Sequence, residues 1–90
     1  MNKVIITVVG KDTVGIIAKV CTYLAENRVN ILDISQTIVQ EYFNMMMIAD
    51  MEHASGSFDE IAAGLDGIGD QIGVKIKCQR EEIFTKMHRI

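Results

Sequence analysis

The residues best suited to chemistry in this chain lie where an apolar strand runs into a helix through a turn between Gly10 and Gly15. Glycine lets the backbone bend and lets another group approach it closely. The first N–H groups of the following helix lack helical partners, and the helix dipole favours negative charge beside them. The turn therefore predicts a site for a small anionic ligand such as an amino-acid carboxylate. The structural alternative is a tight turn in which Asp12 or Thr13 caps the helix.

Side chains that could support catalysis are few, so an enzyme is the weaker interpretation. His53 lies in a polar loop and His88 lies near the C-terminus, and a lone histidine in a loop is usually only solvated. Neither Ser35 nor Cys21 has a base predicted close by to activate it as a nucleophile. The acidic pair at 81–82 opens a helical segment, where negative charge is favourable for structural reasons. We therefore assign no catalytic residue.

The six methionines and two cysteines do not predict a metal site. Met45, Met46 and Met47 are consecutive, so a strand sends them to alternating faces, and core packing explains them better than soft-metal ligation. Cys21 and Cys78 are far apart and are typical of buried free thiols. Because no cysteine or histidine pair has zinc-site spacing, we expect neither a metal nor a cofactor.

Composition limits the class of protein. The 90 residues carry a net charge of -3 and no run of four basic residues, which argues against a nucleic-acid partner. No stretch of about 18 apolar residues predicts a transmembrane helix, and the apolar run at the N-terminus is too short for a signal peptide. We expect a cytoplasmic protein with no membrane partner. A domain of this size buries only roughly 60–65% of its surface, which favours self-association.

The first half of the chain predicts a strand, a helix and a hairpin around the turn. Val4 to Val9 is β-branched and nearly all apolar, as in a strand flanked on both edges. From Val14 the period changes to that of a helix, with a stripe at Ile17, Val20, Cys21 and Leu24. Apolar and polar residues then alternate with a period of two, which predicts two strands joined at Gln40-Glu41. The apolar sets of these strands are Leu32, Ile34 and Ile38, then Phe43, Met45, Met47, Ala49 and Met51.

The second half predicts a helix, a strand and a helical tail. Ser57 followed by Glu60 is a capping box, and the helical stripe behind it is Phe58, Ile61, Ala62, Leu65 and Ile68. Several glycines predict fraying of this helix between Gly67 and Gly73. Alternation at Val74, Ile76 and Cys78 then predicts an edge strand whose lysines face solvent.

The predicted order is β-α-β-β-α-β followed by the tail. Each helix has a single apolar stripe, so both should pack on one face of a four-stranded antiparallel sheet, an α+β sandwich of ferredoxin-like topology. The other face would be bare and partly apolar, and therefore a partner surface. Its side chains would be Ile5, Thr7, Val9, Asp33, Ser35, Thr37, Val39 and some of the methionines.

Two segments carry a resemblance to a known family. The runs at 7–18 and 24–36 combine Gly-x-Asp-x-x-Gly-Ile with Asn-Ile-x-Asp-Ile-Ser, and both resemble the ACT domain. The similarity extends through Tyr42 to Met46 and Ile83 to Met87. An uncharacterised family of stand-alone ACT-domain proteins is the nearest resemblance. The ACT segments of formyltetrahydrofolate deformylase and of the glycine-cleavage transcriptional repressor are more distant. The resemblance implies an ACT domain over 1–80, with the 81–90 tail helix packed on the domain or on its partner.

The resemblance also implies a ligand site. In ligand-binding ACT domains, effectors often sit where the first loop-helix junction of one subunit meets the second strand of a neighbour. Set on this sequence, the site comprises Gly10, Lys11, Asp12, Gly15, Ile16, Asn30, Ile31 and Asp33. Asp12 would accept a hydrogen bond from an α-ammonium group, and the N–H groups of Gly15 and Ile16 would bind a carboxylate. The structural alternatives are a helix cap at Asp12, a turn residue at Asn30 and an exposed strand carboxylate at Asp33.

The implied function is a homodimeric regulatory module that senses an amino acid or related metabolite at the subunit interface. It would act on an enzyme or regulator of amino-acid or one-carbon metabolism. The alternative is a homodimeric interaction module without a ligand.

Overall fold

The computed structural model describes residues 2–11 and 14–81, so Asp12, Thr13 and the expected tail beyond Glu81 lie outside the described residues. The order of elements is the predicted one. The elements are β1 (Lys3–Lys11), α1 (Ile16–Glu26), β2 (Asn30–Val39), β3 (Tyr42–Asp50), α2 (Phe58–Ile72) and β4 (Val74–Arg80).

The four strands form one antiparallel sheet in the order β2-β3-β1-β4. Strand β1 is central, as its apolar sequence predicts, and Val4, Ile6 and Val8 are fully buried. Side chains from both helices share one core with these residues, so both helices cover the same face. The ferredoxin-like α+β fold is therefore confirmed.

The side of the sheet away from the helices is called the open face below. The strand register assigns its side chains, because residues directly opposite each other on paired strands point to the same side. They are Ile5, Thr7 and Val9 of β1, Asp33, Ser35, Thr37 and Val39 of β2, Tyr42, Asn44, Met46 and Ile48 of β3, and Lys75, Lys77 and Gln79 of β4.

Strand β3 alternates as predicted. Phe43, Met45, Met47 and Ala49 are buried, whereas Met46 on the open face is 40% exposed. Met45 and Met47 thus fill the core, since an unbranched thioether adapts to irregular space between a sheet and its helices.

Helix α1 differs from the prediction in its phase. Gly15 occupies the N-cap position, so the helix begins at Ile16 and buries Ile16, Val20 and Leu24. The prediction that Ile17 belongs to the buried stripe is wrong, because Ile17 is 39% exposed. A spacing of four residues from Ile16 keeps the buried set on one side of the helix.

Helix α2 begins as predicted and ends more firmly than predicted. The backbone N–H of Glu60 donates to Ser57 Oγ at 3.2 Å, and the N–H of Ser57 donates to Glu60 Oε1 at 3.0 Å, which completes the capping box. Hydrogen bonding of the Glu60 carboxylate to the Ser57 backbone N–H, and to a lesser extent to the Ser57 side chain, lowers the pKa of Glu60. The expected fraying is wrong, since the helix is continuous to Ile72 and is capped by Gly73 at φ 76°.

Two glycines of α2 serve close packing. A Cβ on Gly69 would lie 2.6 Å from the Val74 carbonyl oxygen, and one on Gly64 would collide with the Tyr23 ring. The Tyr23 hydroxyl donates to the Ile61 carbonyl at 3.2 Å and so joins α1 to α2. The helix tolerates these glycines because each permits an approach that a side chain would block.

The β2–β3 turn is at Gln40-Glu41, as predicted, and Gln40 has φ 58°. A residue with a side chain is strained at positive φ by about 1–2 kcal/mol. Glycine avoids this strain but loses more conformational entropy on folding, so its net advantage is smaller. We expect Gln40→Gly to raise the free energy of unfolding by roughly 0.5 kcal/mol in urea titration. Glu41→Gly is the control, because Glu41 is not among the positive-φ residues and its replacement should only destabilise. A loss of stability in Gln40→Gly would contradict the argument.

Candidate functional site

The N-terminus of α1 lacks the features that close the N-terminus of α2. Its N-cap is Gly15, with φ 89° and ψ 4° and no side chain to accept a hydrogen bond, and its first turn has no acidic residue. By contrast, α2 has the Ser57 cap and two acidic residues in its first turn. Among residues 2–11 and 14–81, no acidic side chain lies in the first turn of α1, and the positive end of a helix favours an anion. The N-cap residue is Gly15, and the alternative in which Asp12 or Thr13 caps the helix stays a prediction because both residues lie outside the described ones.

Gly10 does not form the expected bend. Strand β1 continues through it to Lys11, and Gly10 pairs with Phe43 on one side and Val74 on the other. A Cβ on Gly10 would lie 2.7 Å from Val74 Cγ1 and 3.0 Å from Val74 Cα. The group that approaches Gly10 closely is therefore Val74 of the same chain, which makes Gly10 a packing residue beside the turn.

Lys11 and Ile16 flank the turn in different environments. Lys11 Nζ lies 3.8 Å from Glu41 Oε2, and both side chains are more than two-thirds exposed, so this ion pair adds little stability. The Ile16 side chain is 2% exposed and belongs to the core. Only the backbone N–H of Ile16 can therefore contribute to a ligand site.

The β2 members of the predicted site are not alike. Asn30 is exposed opposite Asp50, and Asp33 is exposed opposite Ile48 on the open face. Ile31 is half-buried against the core. A bulge between Ile31 and Asp33 shifts the register of β2 at this point. Asn30 and Asp33 can reach a ligand or partner, whereas the side chain of Ile31 mainly packs.

One chain does not bring the two halves of the predicted site together. At one end of the sheet, Tyr42 of β3 pairs with Lys11 of β1 and with Val39 of β2. At the other end, Asp50 of β3 pairs with Lys3 of β1 and with Asn30 of β2. The two ends are eight residues apart along β1, about 27 Å at the rise of a strand. The turn at Gly15 and the start of β2 therefore lie at opposite ends of the sheet.

Sequence reasoning missed a groove between α1 and α2. It has a volume of about 320 Å³ and is lined by Ala18, Lys19, Thr22, Tyr23, Glu26, Ile68 and Gln71. The sequence signal that could have indicated it is Gly64, because a glycine in a helix interior often marks the close approach of another group. The Tyr23 hydroxyl at this groove already donates to α2.

The cysteines fit no chemical role at neutral pH. Both are free and half-buried. Burial raises the pKa of the Cys78 thiol to about 11 and also raises that of Cys21, which disfavours the reactive thiolate. Across residues 2–11 and 14–81, no group of three or more His, Cys, Asp or Glu residues is placed to hold a metal ion. Over the same residues, no helix has the length and hydropathy needed to span a membrane.

The βαββαβ order and the single four-stranded antiparallel sheet are those of the ACT class of small domains. The chain belongs to the ACT domain family, whose model matches residues 2–79. It is 67% identical over all 90 residues to a UPF0237 protein of Bifidobacterium longum, with both chains covered completely. The structure of an ACT domain protein from Streptococcus pneumoniae matches with a TM-score of 0.81 and 42% identity, over 92% of this chain and 93% of that one.

Two further solved structures share the fold at low identity. A formyltetrahydrofolate deformylase from Pseudomonas syringae matches with a TM-score of 0.82 and 20% identity, over 89% of this chain and 28% of that one. A protein described as a glycine cleavage system transcriptional repressor matches with a TM-score of 0.75 and 23% identity, over 88% of this chain and 45% of that one. The resemblance to the ACT domain is thus confirmed.

Proposed function

We propose that the protein is a homodimeric regulatory module that binds an amino acid or related small metabolite at its subunit interface and acts without catalysis in the cytoplasm. The observation that carries the proposal is the sheet topology. The two halves of the predicted site lie at opposite ends of one sheet, so a second copy must supply the missing half. Membership of the ACT family and the fold shared with a repressor support a regulatory role.

Strand β2 is the edge best suited to receive a second copy. It is ten residues long and contains no lysine, arginine or proline, whereas the other edge, β4, carries Lys75 and Lys77. A long edge without such residues is a template for further strand pairing. The apolar side chains of Ile34 and Ile38 on the helix side of β2 are 41% and 55% exposed. Pairing of β2 with its copy would cover this surface.

Pairing of two β2 strands about a two-fold axis is antiparallel. The partner's Asn30 would then lie at the end of the sheet that holds Val39 of the first copy. Lys11 and the start of α1 are at that same end. Each dimer would contain two such sites, each combining one α1 N-terminus with the partner's β2.

The expected ligand chemistry follows from the two contributions. The N–H groups at Gly15 and Ile16 suit a carboxylate, and the Asn30 amide offers both a donor and an acceptor. An α-amino acid presents these complementary groups on one carbon atom. Because the ligand would contact both copies, its binding would stabilise the dimer, and this linkage would transmit a signal to an enzyme or regulator.

A thermal-shift screen tests the proposal. We expect one or more of the twenty amino acids or common folate and one-carbon metabolites to raise the melting temperature in a concentration-dependent way. The shift should be lost in Asp12→Ala, while Asp59→Ala in the first turn of α2 keeps it. No shift with any compound, together with an intact dimer, would support the alternative of an interaction module without a ligand.

A further inference from the structure

The open face carries a shallow concavity that the sequence patterns did not predict. Its volume is about 200 Å³, and its polar lining consists of the short side chains of Thr7, Ser35, Thr37 and Asn44. Thr7 and Ser35 both pair with Met46, which gives one row across the strands. Thr37 pairs with Asn44 in the next row. The concavity is on the opposite side of the sheet from both helices, so it is separate from the site at the start of α1.

The polar side chains of this concavity are available to a ligand. Ser35, Thr37 and Asn44 are exposed, and Thr7 is half-buried. In the part of the chain that the structure describes, none of these four side chains takes part in a hydrogen bond. Three hydroxyl groups and one amide therefore offer donors and acceptors within one small area. Such a surface suits a ligand that carries several hydroxyl groups.

Two lysines of β4 flank the concavity. Lys77 pairs with Thr7 and Lys75 pairs with Val9, and side chains directly opposite each other on paired strands have Cβ atoms about 5 Å apart. Both lysines are exposed, and neither has an acidic partner within 4 Å among the described residues. As alternate residues of one strand, they have Cα atoms about 7 Å apart and point to the same side. Both ammonium groups can therefore approach one anion.

The charge of this lysine pair matches a phosphate monoester better than a carboxylate. A phosphate monoester carries about −1.5 to −2 charges at neutral pH, which two ammonium groups neutralise, and lysine is a common phosphate ligand in proteins. Asp33 of the open face is on β2, three strand spacings from β4. That separation is about 14 Å, so this carboxylate does not oppose an anion at β4.

The rest of the lining favours a compact carbon skeleton without aromatic rings. Val9 and Met46 line the concavity and are 47% and 40% exposed, so they can contact C–H groups of the ligand. No aromatic side chain is among the described residues of the lining, whereas nucleobases are bound by stacking on such side chains. The volume is below the roughly 300–1,000 Å³ of pockets for drug-sized ligands, which favours a small molecule.

We propose that the open face binds a small phosphorylated polyol or sugar. Its phosphate lies at Lys75 and Lys77, and its hydroxyl groups lie over the polar lining on β1, β2 and β3. The ligand therefore crosses β1, with its charged end toward β4. Neither a second copy nor the start of α1 takes part, so this inference does not rest on the proposed function. It gives the domain a second small-molecule site on the other side of its sheet.

An NMR titration of the full chain with ribose 5-phosphate and with glycerol 3-phosphate tests the proposal. We expect the largest amide shift changes at Thr7, Asn44 and Lys77, and small ones at Ile16 and Ile68, which belong to the helices. Ribose and inorganic phosphate are the partial probes. Each should bind at least about tenfold more weakly than ribose 5-phosphate, because each makes only one part of the contacts.

Variants of exposed residues test the two parts of the site separately. The double variant Lys75→Gln and Lys77→Gln should bind ribose 5-phosphate at least about tenfold more weakly, because both charge-assisted contacts are lost. Thr37→Val should weaken the binding of ribose 5-phosphate and leave that of inorganic phosphate unchanged. Lys19→Gln is the control, because it removes a lysine from α1 on the other side of the sheet, and it should bind normally. All four side chains are exposed, so the melting temperatures should stay close to that of the unaltered protein.

Several results would overturn the proposal. They are a lack of binding by both phosphorylated probes, an unchanged affinity in the double lysine variant, and equal affinities for inorganic phosphate and ribose 5-phosphate. Shift changes centred on the start of α1 would also overturn it, because the ligand would then occupy the amino-acid site. A thermal shift with an amino acid, or its absence, does not affect these outcomes, so the two proposals fail independently.

Discussion

Replacing Ile34 with lysine is expected to convert the proposed dimer into a monomer. Ile34 is near the middle of β2, on the helix side of the sheet, and its side chain is 41% exposed. A two-fold axis through the middle of two paired β2 strands would bring the two new ammonium groups close together. Burying two like charges without partners costs several kcal/mol, more than an interface of small area can offset.

The control is Val9→Lys, which makes the same change of charge and is similar in exposure. Val9 is on the open face of the central strand, so the variant should remain a dimer if the subunits meet through β2. Light scattering at micromolar concentration distinguishes the outcomes. A dimeric Ile34→Lys variant together with a monomeric Val9→Lys variant would assign the interface to the open face and refute the pairing of β2 edges.

Gly10→Ala is expected to destabilise the domain strongly although it adds a single methyl group. The new Cβ would lie 2.7 Å from Val74 Cγ1 and 3.0 Å from Val74 Cα. Because Val74 Cα is backbone, rotation of a side chain cannot relieve the whole contact, and β1 and β4 must separate locally. Overpacking of this kind costs typically 1–3 kcal/mol, which lowers the melting temperature by about 4 °C or more.

Gly67→Ala is a matched control for this substitution. Gly67 is in the interior of α2, and a Cβ there would meet nothing within 4 Å. Alanine is favoured over glycine at such a position by up to about 1 kcal/mol. The same chemical change should therefore stabilise the protein at Gly67 and destabilise it at Gly10, as measured by urea unfolding. If both substitutions changed the free energy of unfolding by the same amount in the same direction, the contact with Val74 would not be the cause of the effect at Gly10.

The elements that sequence patterns predicted well are those whose signals are local. The Ser57–Glu60 capping box joins residues three apart, and the alternation along β3 depends only on which face of the strand is buried. Both therefore appear in the structure as predicted. The choice of Ile17 over Ile16 failed because adjacent isoleucines give nearly the same periodicity, and the position of Gly15 decides the phase.

The glycines show why the rest could not be predicted from sequence. In the sequence, Gly10 resembles a turn residue and Gly69 resembles a helix breaker. In the structure, both lie so close to Val74 that a Cβ would not fit, and Val74 is far from Gly10 in sequence. The order of the elements around the first half of the candidate site, a strand followed by a turn and a helix, was predictable because these elements are contiguous in sequence. The distance between that turn and Asn30 depends on the strand order, which no local pattern contains.

The unequal edges of the sheet also determine how many copies can join. If β2 pairs with β2 of a second copy, the combined eight-stranded sheet has a β4 strand at each outer edge. Each of these strands presents lysines at 75 and 77, and charge of one sign repels a further copy. Growth then stops at two, because the pairing is self-complementary and closed. In the proposed dimer β2 is no longer an open edge and β4 disfavours pairing, so we expect high concentration to yield dimers without larger aggregates.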